Sequence, residues 1–344
     1  MKKIFLIGLT AAAMMASCSN DETVEMAQQK AISFSNAFVN NGTRSVMDPS
    51  FTTTSLSDFA VYGFTQNGQI FDGVKVSKGG AASTGWSYDN VQYWVPGNTY
   101  TFGAIAPHSV AGNVSNVTLP TGATKVEMEV AFTNKDADQV DLLHAAPTQI
   151  TGVTASYTNP VGMTFNHQLS KVKFSFENAV GAGYNVRVKD VKITDAYAKG
   201  TLTVAAAGNN WSNQTDKTLE LNFGNVVADA SSTESSVIAN AATLESYNEK
   251  LMIPMGSSAI YTVTFIAELY KGNVLLGTYP HTVEIKNVEF KLGYCYNFKA
   301  SLTHKNITGP DELNPIKFNV TSVENWNQTE SNKDLNVPTT HSGI

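Results

Sequence analysis

Apolar and polar residues alternate with a period of two along most of this chain, and this alternation limits the folds open to it. In residues 125–132 (KVEMEVAF) the apolar positions are Val126, Met128, Val130 and Phe132. The same spacing recurs in residues 219–223, 261–269 and 294–302. Successive side chains of a β-strand point to opposite faces, so the pattern is typical of half-buried antiparallel strands. The sequence therefore predicts an all-β fold.

The length and the turn residues predict two domains. Pairs such as Asn67-Gly68 and Gly309-Pro310 separate the alternating runs, and they favour turns. A chain of 344 residues holds about two domains, and about fourteen short strands predict two antiparallel β-sandwiches in tandem. The polar segment at residues 151–160 lies between strand-like regions. We therefore place the domains at residues 31–155 and 156–326, followed by a polar tail at residues 327–344.

Three places depart from simple alternation. The apolar face changes phase near Ser170-Lys171 and again between Val188 and Val191. A one-residue offset restores an inward face, so both sites predict a bulge or a bend. Residues 235–250 have apolar spacing that suits a helix, and a long ordered loop fits this segment equally well.

The first eighteen residues have the pattern of an export signal. Lys2 and Lys3 precede an apolar stretch at residues 4–15, and small residues then lead to Cys18. Residues 1–17 therefore read as a signal peptide. The site resembles a bacterial lipobox, in which Cys18 receives lipid and anchors the protein to the outer membrane, although Met15 stands where Leu is usual. The alternative is an ordinary cleaved signal that contains a cysteine. Residues 18–30 form a polar tether.

Composition excludes several classes of function. The net charge is −6, and among the basic residues only Arg44 and Arg187 are arginines. Nucleic-acid binding depends on neutralising phosphates, so we expect no nucleic-acid partner. No run of 18 apolar residues occurs, which argues against a membrane-spanning helix. Two cysteines cannot form a disulfide framework.

The sequence contains no pattern that points to catalysis or to a cofactor. The six histidines have no metal-ligand spacing, and no nucleophile elbow is present. Residues 134–138 begin like a calcium loop, but Gln139 and Ala145 stand where Gly and Glu are needed. We therefore expect no enzymatic activity, no cofactor and no metal site. The aromatic residues between Trp86 and Phe102 favour core packing, with a glycan-stacking platform as the alternative.

An ordered set of short motifs resembles the fimbrillin family, the pilins of Gram-negative gut and oral anaerobes. The segment FNHQLSKV, at residues 165–172, is the most specific of them. The other elements, in chain order, are the Cys18 motif, residues 32–34 before Thr43-Arg44, Trp86 before Tyr93-Trp94, Phe102 before Ala106-Pro107, residues 141–145, Gly293-Tyr294 before Phe298, and residues 316–326. Together they cover nearly the whole chain.

The resemblance implies a fold and a route of assembly. It implies two transthyretin-like β-sandwich domains and export to the outer-membrane surface as a lipoprotein. It further implies that an arginine- or lysine-specific protease removes the N-terminal segment. The subunit then polymerises into a fimbrium, or pilus, by accepting a donor strand from another pilin subunit, and it supports adhesion.

Within this scheme particular residues take particular roles. The strand that is removed contains Ile32, Phe34 and Phe38, which share one face. Cleavage is expected between Arg44 and Ser45, in a turn-like stretch. The candidate donor strand contains Ile316, Phe318 and Val320, although the same segment could be the last strand of its own domain.

The end of the chain leaves the type of subunit open among shaft, anchor and tip, because the eighteen residues after Trp326 are mostly polar. The alternative function is a surface lipoprotein that binds a glycan or another host ligand, at the pilus tip or as an anchor, and does not polymerise.

Overall fold

A computed structural model describes residues 30–39, 56–79, 85–229, 231–310 and 314–325 of the protein. The strands of the first half are β1 (Phe34–Val39), β2 (Asp58–Thr65), β3 (Gly68–Lys78), β4 (Trp86–Ser87), β5 (Tyr100–Ala106), β6 (Val114–Thr118), β7 (Glu127–Thr133), β8 (Leu143–Ala145), β9 (Val161–His167) and β10 (Ser170–Asn178). A short 3-10 helix, His108–Asn113, precedes β6.

The second half continues in the same way. Its strands are β11 (Tyr184–Ala196), β12 (Lys199–Val204), β13 (Asn210–Thr215), β14 (Leu219–Gly224), β15 (Thr243–Glu245), β16 (Lys250–Met252), β17 (Tyr261–Lys271), β18 (Val274–Ile285), β19 (Tyr294–Leu302) and β20 (Phe318–Asn325). One helical turn, α1 (His304–Thr308), lies between β19 and β20. No helix in the described residues is long and apolar enough to span a bilayer.

A seven-stranded sheet and a four-stranded sheet form the first sandwich. The strand orders are β1-β9-β8-β5-β2-β3-β4 and β13-β12-β7-β6. Alternation within β2 buries both faces of the larger sheet. Ala60 and Tyr62 join the core shared with the smaller sheet, whereas Phe59 and Val61 belong to a separate core on the opposite face. This second core contains the residues that position β1.

Two further sheets form the second sandwich. The first has the order β15-β10-β19-β20, with β16 also paired to β10, and the second has the order β14-β11-β17-β18. Phe174, Phe265 and Phe298 pack in the core between them. Strands β1 and β9 are parallel, as are β10 and β19. The prediction of an all-β chain with antiparallel sheets is confirmed, while the transthyretin-like topology stays a prediction.

Strand pairing crosses the domain limit that the sequence suggested at residues 155 and 156. Strand β12 pairs with β7, and Leu202 lies opposite Val130. Leu202 and Val204 are buried in the core shared with the seven-stranded sheet, so β12 and β13 complete the first sandwich although they come late in the chain. Strand β9 also belongs to the first sandwich. The domain limits themselves stay a prediction.

The irregular places have physical explanations. The register of β11 against β17 shifts between Lys189 and Lys192, and Asp190 has a φ of 51°, which confirms a bulge at the second phase change. At residues 168–169 the chain leaves one sheet and enters another. This passage accounts for the phase change near Ser170-Lys171. Residues 235–250 form an ordered loop with the short strand β15, because Ile238 pairs with Val186 in a bridge. The helical alternative was wrong.

A loop from the first sandwich binds β16 of the second. The side-chain amides of Asn134 and Gln139 donate to the carbonyl oxygen of Leu251, at 2.8 and 2.9 Å. The Asp136 carboxylate lies 2.9 Å from the Lys250 ammonium. These contacts join the two sandwiches beside the strand crossings.

Candidate functional site

The first described segment, residues 30–39, lies between two other parts of the chain. On one side the Ile32 N–H donates to the Gln92 carbonyl oxygen at 2.8 Å. The Trp94 N–H donates to the Lys30 carbonyl oxygen at 2.9 Å. These two hydrogen bonds join Ala31 and Tyr93 in an antiparallel bridge.

The other side of the segment pairs with β9. Phe34 lies opposite Val161, and the Val161 N–H donates to the Ser33 carbonyl oxygen at 2.7 Å. The Tyr88 hydroxyl donates to the carbonyl oxygen of Ile32 at 2.7 Å. Burial raises the pKa of the Tyr88 hydroxyl, so it keeps the proton that this bond requires. The segment is thus held by hydrogen bonds on both edges.

Phe34 fills a pocket of aromatic rings. Ile32 and Phe34 are only 1% and 4% exposed. Burying each such side chain contributes roughly 1.5–3 kcal/mol, and each well-oriented ring pair adds about 0.5–1.5 kcal/mol. The rings around Phe34, with centroid separations, are Phe59 at 5.9 Å, Phe71 at 5.8 Å, Tyr88 at 5.5 Å and Phe102 at 6.0 Å.

Other predicted site residues are only partly described or lie outside the described residues. Phe38 belongs to β1 and pairs with Thr164, but its side chain lies outside the description, as do Cys18, Arg44 and Ser45.

The aromatic residues that could have formed a glycan platform belong largely to the core. Trp94, Tyr100 and Phe102 are buried, and Trp94 contacts Tyr100 edge-on at 4.7 Å. Trp86 is half-buried against Phe59 at 5.1 Å. The three buried rings have no open face for stacking on a sugar, whereas Tyr93 is 46% exposed. The core-packing interpretation is therefore the one that fits.

The candidate donor residues lie in the chain's own second sandwich, with Phe318 and Val320 in β20 and Ile316 two residues before it. Val320 lies opposite Phe298 of β19. Ile316 is buried, whereas Phe318 and Val320 are half-buried. The ring of Phe318 lies 5.1 Å from that of Phe174. Of the two roles left open by the sequence, the structure shows the last strand of the chain's own domain, and β20 is an edge strand.

The histidines of β8 and β9 make structural hydrogen bonds. The His167 Nδ1 lies 2.8 Å from the Asp141 carboxylate, and the Asn209 amide lies 3.2 Å from the His144 Nδ1. Burial, with a smaller effect of Lys125, lowers the pKa of His144 to about 4. Among the described residues no group of three His, Cys, Asp or Glu side chains could hold a metal ion. The arrangement around β1 is suited to holding a strand.

Sequence reasoning missed the segment that pairs with residues 30–32. In residues 91–95 (VQYWV), Trp94 is buried while Val91, Tyr93 and Val95 are exposed. The period of two was present there, and it could have identified an extended segment. The contact of Tyr88 with Ile32 had no sequence signal, because the two residues are 56 positions apart.

Comparison with known proteins now identifies the family. A family model described as fimbrillin-like matches residues 43–326. The chain belongs to the fimbrillin-like family. As a fimbrillin-like protein it is a non-enzymatic structural protein of the cell surface, related to fimbriae.

Solved structures align with this fimbrillin-like protein at low identity. A fimbrial protein from Bacteroides vulgatus aligns with a TM-score of 0.55 and 15% identity, covering 86% of this chain and 99% of its own. Candidate cell adhesion proteins from Parabacteroides distasonis and Bacteroides uniformis align with TM-scores of 0.49 and 0.46, at 10% and 14% identity. They cover 87% and 88% of this chain, and 99% of their own in both cases. The curated proteins contain no match.

Proposed function

We propose that this fimbrillin-like protein is a pilus subunit in which the strand β1 is removed and replaced by a strand from another subunit. The supporting observation is the position of Phe34, which fills a pocket of four rings while the backbone around it is bonded on both edges. A strand held in this way can be replaced only by another strand that offers similar bonds and similar side chains.

Removal of β1 exposes a defined groove. The Gln92 carbonyl oxygen and the N–H groups of Trp94 and Val161 lose their partners, and the apolar pocket of Phe34 opens. Unpaired strand edges pair readily with another chain. A donated strand supplies main-chain hydrogen bonds and fills the pocket with alternate side chains.

Strand β20 is our candidate donor. The segment Ile316-Lys317-Phe318, which leads into β20, repeats the Ile-x-Phe spacing of Ile32 and Phe34. It could therefore place an aliphatic and an aromatic side chain in the same two positions. Strand β20 pairs on one edge only, and Phe318 is less buried in its own sheet than Phe34 is in the first sandwich. For Phe318, transfer to a neighbouring groove therefore exchanges partial burial for full burial, whereas Ile316 exchanges one buried site for another.

Processing couples export to assembly in this proposal. Lipid on Cys18 anchors the exported subunit to the outer membrane, and an arginine- or lysine-specific protease then cuts between Arg44 and Ser45. Arg187 is protected from the same protease, because it lies inside β11 and pairs with Glu268 of β17. Its guanidinium also donates to the Ser235 carbonyl oxygen at 2.9 Å. The cut makes loss of β1 irreversible once a donor occupies the groove.

Replacing Arg44 tests the proposal. We expect Arg44→Ala to accumulate as a lipid-bound monomer, whereas Arg44→Lys and Ser45→Ala should still form polymers that resist mild detergent. The N-terminus of the surface form is then sequenced for each variant. If Arg44→Ala polymerises with Cys18 at its N-terminus, strand removal does not apply to this protein.

The lipid anchor is tested separately. Cys18→Ala should lose labelling by an alkyne fatty acid and should not reach the outer membrane, while Ser19→Ala should label as the wild type does. Equal labelling of wild type and Cys18→Ala would exclude lipidation at this residue.

A further inference from the structure

We propose that two exposed apolar ends of the protein pack against each other in successive copies, so that residues 274–276 of one copy cover Val91, Tyr93 and Val95 of the next. This inference rests on the strand exchange proposed above and names the body surfaces that accompany it. The two ends are called here the hairpin end (residues 274–276) and the groove end (Val91, Tyr93 and Val95).

The hairpin end is the start of β18, directly after the turn that joins β17 to β18. Val274 is 65% exposed, and Leu275 and Leu276 are each 48% exposed. Strand β18 is an edge strand of its sheet. Three consecutive aliphatic residues in water at such a site mark an interaction surface.

The hairpin end lies beside the connection that leads into β20. The Lys271 ammonium lies 5.9 Å from the ring centroid of Tyr184. The Tyr184 ring in turn meets the ring of His304, the first residue of α1, at 6.0 Å. Residues 303–317 join β19 to β20, so a β20 that entered another subunit would leave its own body next to the hairpin end.

The groove end borders the first residues of the strand that is replaced. Val91, Tyr93 and Val95 are 45–46% exposed and share one face, because they alternate with inward-facing residues. Tyr93 lies opposite Ala31 in an antiparallel bridge. A strand that takes the place of residues 31–34 therefore begins next to Tyr93.

Strand direction brings the two ends together. The Ile-x-Phe pattern has the same order at residues 32–34 and at residues 316–318, so a donor that fits both pockets runs in the direction of β1. Its preceding residues then emerge beside Tyr93. Gly309 and Ile316 are seven residues apart, which limits the reach of the connection to about 25 Å. The hairpin end of the donor's body is thereby kept close to the groove end of the acceptor.

The contact is heterologous, because the two surfaces differ and both occur in each copy. Each subunit then offers a free hairpin end and a free groove end to further copies. Such a contact extends into an open filament unless its rotation closes a ring.

Paired cysteines test the contact directly. In polymers on cells, Leu275→Cys combined with Tyr93→Cys should form disulfides between copies after mild thiol oxidation. The matched control combines Tyr93→Cys with Ile260→Cys, since Ile260 is similarly exposed but precedes β17 at its opposite end. Equal cross-linking of the two pairs, or none in the test pair, overturns the packing inference.

Serine substitutions separate the contact from strand exchange. Leu275→Ser with Leu276→Ser should slow polymerisation about tenfold, which corresponds to a rise of about 1.4 kcal/mol in the activation free energy, while Ile260→Ser should not. A synthetic peptide of residues 314–325 should bind the cut double variant as it binds the cut wild type. If the double variant polymerises at the wild-type rate, the packing inference is wrong and strand exchange stands. If the wild type forms no polymer and the peptide does not bind, both are wrong.

Discussion

The ring of Phe34 meets the ring of Phe59 edge to face, with centroids 5.9 Å apart and planes at 88°. Phe34 has nearly the same relationship to Phe102, at 6.0 Å and 87°. The first strand therefore supplies the side chain around which rings of three later strands and a loop are arranged. Stability of the uncut protein depends on a segment that the proposed function removes.

Phe34→Ala should lower the free energy of unfolding of the uncut protein by about 3–5 kcal/mol, because it empties a pocket lined by rings. Urea denaturation measures the change. Ser35→Ala in the same strand, outside the ring cluster, is the control and should stay within about 0.5 kcal/mol. A Phe34→Ala protein as stable as the wild type would show that the pocket does not depend on β1.

The buried ion pair of Lys171 and Glu249 gives a second prediction. The two side chains lie 2.9 Å apart, and both are nearly inaccessible. Lys171→Met should destabilise the protein by about 3–5 kcal/mol, because it leaves a buried carboxylate without its cation. Adding Glu249→Leu should recover most of that loss. Lys286→Met, at the exposed pair with Glu284, is the control. A double variant no more stable than Lys171→Met would contradict the argument.

His144 predicts a loss of stability in mild acid. Its pKa falls from 6.5 to about 4 on folding, chiefly because it is buried. Above pH 6.5 His144 does not change the free energy of unfolding, because its imidazole is neutral in both the folded and the unfolded state. Between pH 6.5 and 4 the unfolded state binds the proton and the folded state does not, so stability falls with pH by up to about 3 kcal/mol. Denaturation of wild type and His144→Gln across this range measures the difference. Parallel curves would exclude His144 as the cause.

The crossing of the domain limit leads to a prediction for a fragment of residues 161–344. We expect cooperative melting, since the core of the second sandwich is complete, but also self-association, since Leu202 and Val204 lose their cover from β7. Leu202→Ser with Val204→Ser should restore a monomer on size-exclusion chromatography, and Thr201→Ser with Thr203→Ser should not. Melting without cooperativity would show that the two halves need each other.

Local sequence predicted local structure well. The alternation in residues 125–132 identified β7, and the phase change after Val188 identified the bulge at Lys189 to Lys192. Both are properties of one strand and its immediate neighbours. The spacing of Ile32 and Phe34 on one face likewise predicted a shared buried position, and both are buried, while removal of this segment stays a prediction.

Long-range pairing could not be predicted in the same way. Strand β12 follows β11 after two residues, so the sequence places Leu202 with the second sandwich. Its partner Val130 lies 72 positions earlier, and the alternation of either strand fits many partners equally well. The same limit applies to Tyr88 and Ile32, because a single hydroxyl carries no pattern that reveals its acceptor.

The two-residue links between β9 and β10 and between β11 and β12 have a mechanical consequence. Each carries one strand directly from one sandwich into the other, and the contacts of Asn134 and Lys250 tie the same junction from the side. Rotating one sandwich against the other would require the backbone dihedral angles of these short links to change and the side contacts to break. The link between β13 and β14 carries the chain across once more. Tension along the protein is therefore shared by three covalent paths, and the proposed filament, when pulled, would bend and stretch at the joints between its subunits.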